Sequence, residues 1–555
     1  MILIEEKEGS KIPGGTSLYV SFNYNALIVE KLKQCDVFSY DKNTHVWEVP
    51  CTNLAFLINN LKNIDSITLK VLPTIRHEDR TFELMLYRTK PMSHQYEGIQ
   101  YGLNHNHWLL LDAPGLGKTL QLLYLALELR KREAIEHCLI ICGVNSLKAN
   151  WKEEIKLHTG ESSKILGERL TKKGKTRVGS IQERVEDLSN PIKEFFVITN
   201  VESLRNDDVV KKLVKGPNKF DIIFFDEAHR CKNPQASQTK GLMKLQAKYM
   251  VAATGTLILN DPIDSFIPLK WLGIEHCTKT NFEYYYYIFG GPFSNEKIGF
   301  KNMKVLKDMI SEHSLRREKK LLNLPEKNII NEYLDLEDDH RKFYNNIVDG
   351  VKDQVDKVTL NTSTVLSMVV RLRQATASPS ILSSENISAT KLDRCCDLVD
   401  EIVSNGDKVV VFSVFKEPLK VLYERLKKYN PTLNTGDVKQ EQIAENRIDF
   451  QSTDKSKVFL ATCQALGVGV TLNRASYAIF IDTPWTSGDY IQAQDRIHRI
   501  GTKEPVFIYN LIAKDTIDER VLEIVSDKEA ISDYIVDDRV TEKSVNSLKK
   551  YIQEL

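Results

Sequence analysis

An excess of charge of either sign is missing from this sequence: 76 lysines and arginines face 75 acids, a formal net charge of +1. Net charge therefore points to no nucleic-acid partner, and any basic surface has to be a local patch. Long apolar runs are also missing. Nowhere do ~18 apolar residues follow one another, the length a membrane span needs, and MILIEEKEG has no basic stretch leading into an apolar one. The expectation is a soluble, non-secreted protein. Metal-type cysteine spacing is absent too: nine cysteines are scattered, with Cys395 and Cys396 adjacent and Cys138 and Cys142 inside an apolar run. Neither pair resembles a zinc framework, so they read as reduced packing residues of a cytosolic-type compartment. No internal repeat or low-complexity linker is visible. What remains, 42% hydrophobic and 27% charged residues, is the make-up of an ordinary globular protein. At 555 residues it is too long for one core, and three or four domains are expected.

Residues 1–75 form a separate unit by pattern. Leu18, Val20 and Phe22 alternate in a strand from Ser17, and Asn23 is placed to cap a helix holding Leu27, Ile28 and Leu32. The polar turn Asp41 to Thr44 leads to a second strand, His45 to Val49, ended by Pro50. Thr52 or Asn53 then opens a helix through Leu54, Leu57, Ile58 and Leu61, completing a strand-helix-strand-helix module. From about residue 91 the rhythm changes to short, wholly apolar strands between helices: WLLLDAP, CLIICG, FFVITN, DIIFFDEAH and YMVAATGT. Such runs mean strands covered on both faces, hence a parallel sheet in an α/β lobe. A second series, KVVVFSV, KVFLATC, YAIFID and VFIYNLIA, predicts a second lobe. Between them the pattern is helical and aromatic, including FEYYYYIF at Phe282 to Phe289, whose tyrosines either stack bases or pack an insertion onto a lobe. After Asp518 a mixed-charge helix is expected to strap back onto the lobes. The boundaries are 1–75 for the module, 76–325 and 326–520 for the lobes, and 521–555 for a helical brace.

The chemistry-bearing residues lie at strand ends. In APGLGKT, Gly115 and Gly117 let backbone N–H groups approach a phosphate and the next helix turns its positive end toward it. Lys118 is placed for β- and γ-phosphates and Thr119 for Mg²⁺. A strict P-loop has glycine where Asp112 stands. Asp226 and Glu227 end an apolar strand, where α/β sheets place ligand-binding residues: Asp226 for a metal through water, Glu227 for the attacking water. A solvated acidic turn is the plainer alternative. Thr254, Gly255 and Thr256, with Asn260, form a polar turn that reads as a sensor. In the second lobe Ala461 to Gln464 ends a strand and leads into the glycine-bearing loop Gly467 to Thr471, where small residues admit a close backbone. The stretch Gln492 to Gly501, QAQDRIHRIG, reads as a short helix carrying Arg496 and Arg499 on one face. Guanidiniums cannot lose their charge and suit a transferring phosphoryl group, although surface helix charge explains many such pairs. The basic run Arg169 to Arg177 is a solvated loop or a touch point for a DNA backbone.

Taken in order, these residues resemble the Swi/Snf-type DNA translocases of helicase superfamily two. The resemblance covers about Pro91 to Asp518. It rests on MSHQYEG with Gln95, DAPGLGKT, NSLKANW, DEAH, ATGTLILN, LRREKKLLNLPEK, VVVFSVF, TCQALGVGVTLNRA and DTPWTSGDYIQAQDRIHRIGT. It implies two RecA-like parallel-sheet lobes with helical insertions behind a small α+β module. It also implies ATP and Mg²⁺ as cofactors, and ATP hydrolysis driving movement on double-stranded DNA by a monomeric motor. Family roles put Gln95 on the adenine and Pro114, Gly115, Leu116, Gly117, Lys118 and Thr119 around the phosphates. Asp226 and Glu227 take metal and water, and Arg496 and Arg499 act as fingers. Lys148, Thr462 and Gln464 are candidate DNA contacts. Departures are Ala113 and Pro114 before GLGKT, Thr254 for a usual serine and Leu257 for a usual proline.

The first module resembles the HARP domain of annealing helicases in SLYVSFNYN and YDKNTHVWEVP. That implies DNA-structure binding by Tyr24, Tyr40 and Trp47, whereas their residue types alone equally suit a core. The expected role is remodelling of branched DNA by rewinding or fork regression. The alternatives are a motor that displaces a DNA-bound protein such as a polymerase, with residues 1–75 docking the partner, and a scaffold on an inactive motor. The compact, Asn-, Lys- and Ile-rich chain points to a bacterial cytoplasm, at the nucleoid, or to a phage protein in its host's cytoplasm.

Overall fold

The computed structural model describes residues 1–8, 11–35, 37–70, 83, 88–145, 147–170, 176–177, 179–255, 257–258, 261–290, 296–322, 324–355, 362–463, 465, 471–484, 487–523 and 550–552. Thr256, Asn260, Gln464, most of the Gly467 to Thr471 loop and most of the expected C-terminal brace lie outside the described residues. The chain divides into two compact units, Met1–Ala113 with Gly117–Glu318, and Pro114–Leu116 with Lys319–Leu555.

The first unit begins with five strands: β1 (Ile2–Glu8), β2 (Thr16–Ser21), β3 (Ser39–Asp41), β4 (Val46–Pro50) and β5 (Ile67–Lys70), in the order β3-β4-β2-β1-β5. Only β1 and β5 run parallel. Helices Ala26–Leu32 and Leu54–Leu61 bury Ile28, Leu32, Leu57 and Leu61 against Leu18, Val20, Trp47 and Val49 of the sheet. The sequence pattern missed β1, whose alternation runs into acids, and β5, which is mostly exposed. The first helix is capped by Asn25, which accepts from Leu27 N at 2.9 Å, and not by Asn23. Asn53 makes no cap; a 3₁₀ turn at Cys51–Asn53 leads into the second helix instead.

The rest of this unit is a parallel sheet of β6 (His107–Leu110), β7 (His137–Cys142), β8 (Ser163–Ile165), β11 (Phe196–Asn200), β12 (Phe220–Asp226), β13 (Tyr249–Ala253) and β16 (Ser314–Leu315). Their order is β16-β6-β13-β12-β7-β11-β8. Two hairpins stand outside it, β9 (Arg169–Leu170) with β10 (Thr176–Arg177), and β14 (Tyr287–Gly290) with β15 (Glu296–Phe300). Strands β7, β11, β12 and β13 are buried at every residue, as continuous apolar runs require.

Three of the four tyrosines belong to packing. Phe282, Tyr285, Tyr286 and Tyr287 are buried, with Phe282 edge-on to Phe266 at 5.1 Å, and only Tyr284 is exposed. Base stacking by the run is thereby overturned for three of its four tyrosines. Tyr285 instead shares a 2.7 Å hydrogen bond with Thr52 of the N-terminal module, and Gly14 N donates to Glu275 Oε2 at 3.1 Å. Ile12 and Val37 of the module enter the same buried cluster as Met309 and Ile274. Of the basic run, Arg169 pairs with Glu186 and Asp187 and Arg177 with Glu183. Residues 171–175 of that run lie outside the described ones.

The second unit is also a parallel α/β lobe, with β17 (Lys327–Leu334), β18 (Val409–Ser413), β19 (Thr432–Asn434), β20 (Val458–Thr462), β21 (Tyr477–Phe480) and β22 (Val506–Ala513) ordered β17-β22-β21-β18-β20-β19. The sequence pattern found the four inner strands and missed the edges β17 and β19. Each lobe has the RecA-like α/β architecture. Among the described residues no helix is long and apolar enough to cross a membrane, and all nine cysteines are free thiols.

Candidate functional site

The phosphate-type loop follows β6 and turns at Gly115 and Gly117, with φ of +88° and +76°, a region that residues with a Cβ rarely enter. A Cβ on Gly117 would also fall 2.2 Å from Gln95 Nε2. Gln95 is buried in helix Ser93–Asn104, where its Oε1 accepts from Met92 N at 3.0 Å. Helix Lys118–Arg132 starts directly after Gly117 with no side-chain cap, so its first N–H groups remain available to an anion. Leu116 is fully buried, Pro114 and Thr119 are half-buried, and Lys118 Nζ donates to the Asp112 carbonyl at 2.8 Å.

The departure at Asp112 has a structural cause. Its fully buried carboxylate accepts from Arg317 Nε at 3.0 Å, from the Arg317 terminal nitrogen at 2.6 Å and from Gln121 Nε2 at 2.9 Å. Arg317 also donates to the His94 carbonyl, next to Gln95. Sequence reasoning quoted LRREKK but gave Arg317 no role, since its partner lies 205 residues away.

The acidic pair ends β12, two strands from β6 at the same C-terminal edge. Asp226 and Glu227 are both buried. Asp226 Oδ2 accepts the Trp151 indole N–H at 2.9 Å and Oδ1 accepts Glu227 N at 3.0 Å. Burial, then the neighbouring Glu227 charge, pushes the Asp226 carboxyl up to about 6. Burial acts the same way on Glu227, but the hydrogen bond and charge of His229, with Lys118 and Arg230, outweigh it and hold this group below the usual carboxylate range. Glu227 sits in the left-handed region at φ +56°, an uncommon place for a residue with a side chain. His229 Nδ1 lies 3.1 Å from Glu227 Oε2 and 2.8 Å from Thr254 Oγ1, so the acid and the turn at Thr254 share one imidazole. Gly255 is half-buried beside Thr254. The roles of His229 and Trp151 were missed although both stand inside quoted motifs.

In the second unit the helix expected to carry both arginines ends earlier. It spans Ser487–Gln494, and Arg496 and Arg499 lie in the turns that follow. Tertiary contacts override the helical pattern. Ile497 is fully buried, Thr502 Oγ1 donates to the Ile497 carbonyl at 2.7 Å and accepts Arg499 N at 3.1 Å, and His498 Nε2 lies 2.8 Å from the Pro325 carbonyl. Lys319 pairs with Asp495 and donates to the His498 carbonyl at 2.8 Å. Arg496 is buried and Arg499 half-buried, so they do not share one exposed helix face.

The candidate DNA contacts differ in setting. Thr462 ends β20 and is 8% exposed. Lys148 is 6% exposed in the first turn of helix Leu147–His158, and burial, then Arg184, lowers its ammonium to about 8. Trp47 is buried against Phe38 and Tyr40, with ring centroids 5.6 and 5.0 Å away, which leaves its faces to the module's core. Tyr24 is 86% exposed.

Among the described residues no three His, Cys, Asp or Glu side chains group as metal ligands. A nucleotide-borne Mg²⁺ needs no such cage, because it takes one or two oxygen ligands from protein and the rest from phosphate and water. Thr119 and Asp226 are oxygen donors of that kind.

The helicase conserved C-terminal domain matches residues 390–501. The chain is 28% identical over 502 residues to an uncharacterized ATP-dependent helicase of Mycoplasma pneumoniae, covering 86% of this chain and 46% of that protein. It is 25% identical over 562 residues to the Caenorhabditis elegans homolog of SWI/SNF-related matrix-associated actin-dependent regulator of chromatin subfamily A-like protein 1, covering 93% and 74%. The chain thus spans less than half the length of the Mycoplasma relatives it matches. Among solved structures, the Sulfolobus solfataricus SWI2/SNF2 ATPase core in complex with dsDNA aligns with a TM-score of 0.38 at 23% identity, covering 81% of this chain and 94% of that one. The SNF2-related domain matches residues 52–381, more than half of the sequence, and the chain belongs to that family.

Proposed function

We propose that this chain is a DNA-dependent ATPase that moves on double-stranded DNA and remodels branched DNA, rewinding strands or regressing forks. The observation that carries it is the pairing, at one edge of one sheet, of an uncapped helix start behind Gly117 with the buried acids Asp226 and Glu227. In this reading Gln95 reads the base and Gly115 to Lys118 hold the phosphates. Thr119 and Asp226 hold Mg²⁺, which when bound neutralises charge on the transferring phosphoryl group. Glu227, held by His229, takes the proton of the attacking water. Arg496 and Arg499 supply guanidinium charge to the phosphoryl group. Lys148 and Thr462 touch the DNA backbone, whose phosphates make binding fall steeply with salt.

The HARP-like features of residues 1–75 support the branched-DNA part, as does the exposed Tyr24. The Mycoplasma relatives support a bacterial cytoplasmic place of action. A second reading, a motor that displaces a DNA-bound protein, is favoured by the exposure of Leu27 at 58% beside Tyr24. ATPase rates against single-stranded, duplex and forked DNA test the proposal, with Lys118→Ala as the control that removes turnover. Forked DNA is expected to stimulate most. Equal rates with and without every DNA would sink the motor; stimulation by duplex with no fork preference would leave the protein-displacing reading.

A further inference from the structure

The metal-side carboxylate of the proposed site has an unusual neighbour. Three tryptophans of the first unit, Trp108, Trp151 and Trp271, are fully buried. The indole N–H of Trp108 has no partner among the described residues, and that of Trp271 donates to the Leu245 carbonyl at 3.1 Å. Trp151 alone of these three donates to a carboxylate, Asp226 Oδ2 at 2.9 Å, across 75 residues of sequence. With Glu227 N on Oδ1 at 3.0 Å, each oxygen of Asp226 has one N–H donor, and the plane of the carboxylate is set from both sides. Each oxygen keeps a further lone pair for a cation or its water. Hydrogen bonds of this kind orient a metal-binding group and keep it charged.

Trp151 is carried by helix Leu147–His158. Three residues earlier on the same helix, and so on the same face, stands Lys148. Lys148 is 6% exposed, and among the described residues its ammonium makes no hydrogen bond or ion pair. The sheet-facing side of one helix therefore carries a cation that makes no ion pair among the described residues and, one turn on, the donor that fixes Asp226.

Resting on the function proposed above, we propose that Trp151 is a positioning residue for Asp226. Through it, occupation of Lys148 by a nucleic-acid phosphate sets how tightly the site holds its divalent cation. The link runs through a rigid helix and one hydrogen bond, so a small shift of the helix alters the aim of the carboxylate without touching the nucleotide.

The test uses the full chain with Mn²⁺ as probe, followed by electron paramagnetic resonance in the presence of a non-hydrolysable ATP analogue, with and without duplex DNA. Trp151→Phe removes the donor. Replacement of Trp151 by 3-benzothienylalanine keeps the bicyclic shape with sulfur in place of N–H, and so decides the matter if the phenylalanine variant does not fold. Loss of an outer hydrogen bond typically weakens a metal site about 10- to 100-fold. The lower end of that range is expected here, with metal-free nucleotide binding unchanged and any tightening of Mn²⁺ by DNA lost. Unchanged Mn²⁺ affinity in the sulfur analogue overturns the positioning role. Weakened Mn²⁺ that DNA still tightens as in the parent overturns the role of the helix. Absence of DNA-stimulated ATPase in the parent protein would overturn the motor instead, and the Mn²⁺ comparison without DNA would still judge Trp151.

Discussion

Asp112 and Arg317 compensate each other. A fully buried carboxylate is costly unless paired, and here one guanidinium meets both of its oxygens. Arg317→Ala strands that charge and is expected to cost about 3–5 kcal/mol, read as a lower denaturant midpoint. The double variant Asp112→Ala with Arg317→Ala should recover much of the loss. Asp226 poses the opposite case. Its carboxyl is raised to about 6 by burial, so the folded state disfavours the charged form. The penalty is absent below the unfolded value near 4 and fully present above about 6. Asp226→Asn should therefore raise the melting temperature of the nucleotide-free protein at pH 8, by roughly 2–4 °C for each kcal/mol relieved, and lose that advantage at pH 4. A gain that is independent of pH would contradict the assigned cause. Lys118, Asp226 and Glu227 were legible because each lies in a short local motif at a strand end. Arg317, His229 and Trp151 were not, because what defines them is a partner distant in sequence or hidden in the turn geometry.

At the scale of elements, strands buried on both faces were read without difficulty, since nothing but a continuous apolar run satisfies them. Edge strands failed the same reading. Strand β17 alternates half-buried and exposed residues and includes Asn328 and Asn331, which no apolar template selects. The arginine segment failed for the converse reason: QAQDRIHRIG has helical spacing, yet buried Ile497 and the Thr502 latch hold it as turns. The positions of both guanidiniums thus depend on this latch. Thr502→Val removes two hydrogen bonds and should cost about 1–3 kcal/mol, visible in thermal melts, while leaving nucleotide binding intact. Arg499→Ala should likewise spare ATP binding, measured with a fluorescent nucleotide, and abolish DNA-stimulated turnover. Normal hydrolysis by that variant would remove the arginine from the mechanism.

For the whole molecule, the N-terminal module is part of the first unit's interior. Ile12 and Val37 lie in the core of the lobe, and Thr52 is bonded to Tyr285. Deleting residues 1–75 would open that core, so loss of activity in such a truncation would say little about DNA structure. Tyr285→Phe, which keeps the ring and removes the hydroxyl, is the gentler probe. It should lower stability by about 1 kcal/mol and leave duplex-stimulated ATPase unchanged; loss of that activity would show that the module's seating is needed for the motor itself.

The outermost rung of the first lobe's sheet has a consequence for how the chain is made. Strand β16 pairs with β6, and Arg317 with Asp112, from about two hundred residues downstream. On a ribosome adding ~5–20 residues per second, that separation is roughly 10–40 s. For this interval the nascent lobe carries a bare strand edge and an acid, Asp112, without its arginine partner. Final closure therefore waits on the same short segment, Ser314 to Arg317, and a pause in translation just before it would hold the lobe at its most aggregation-prone.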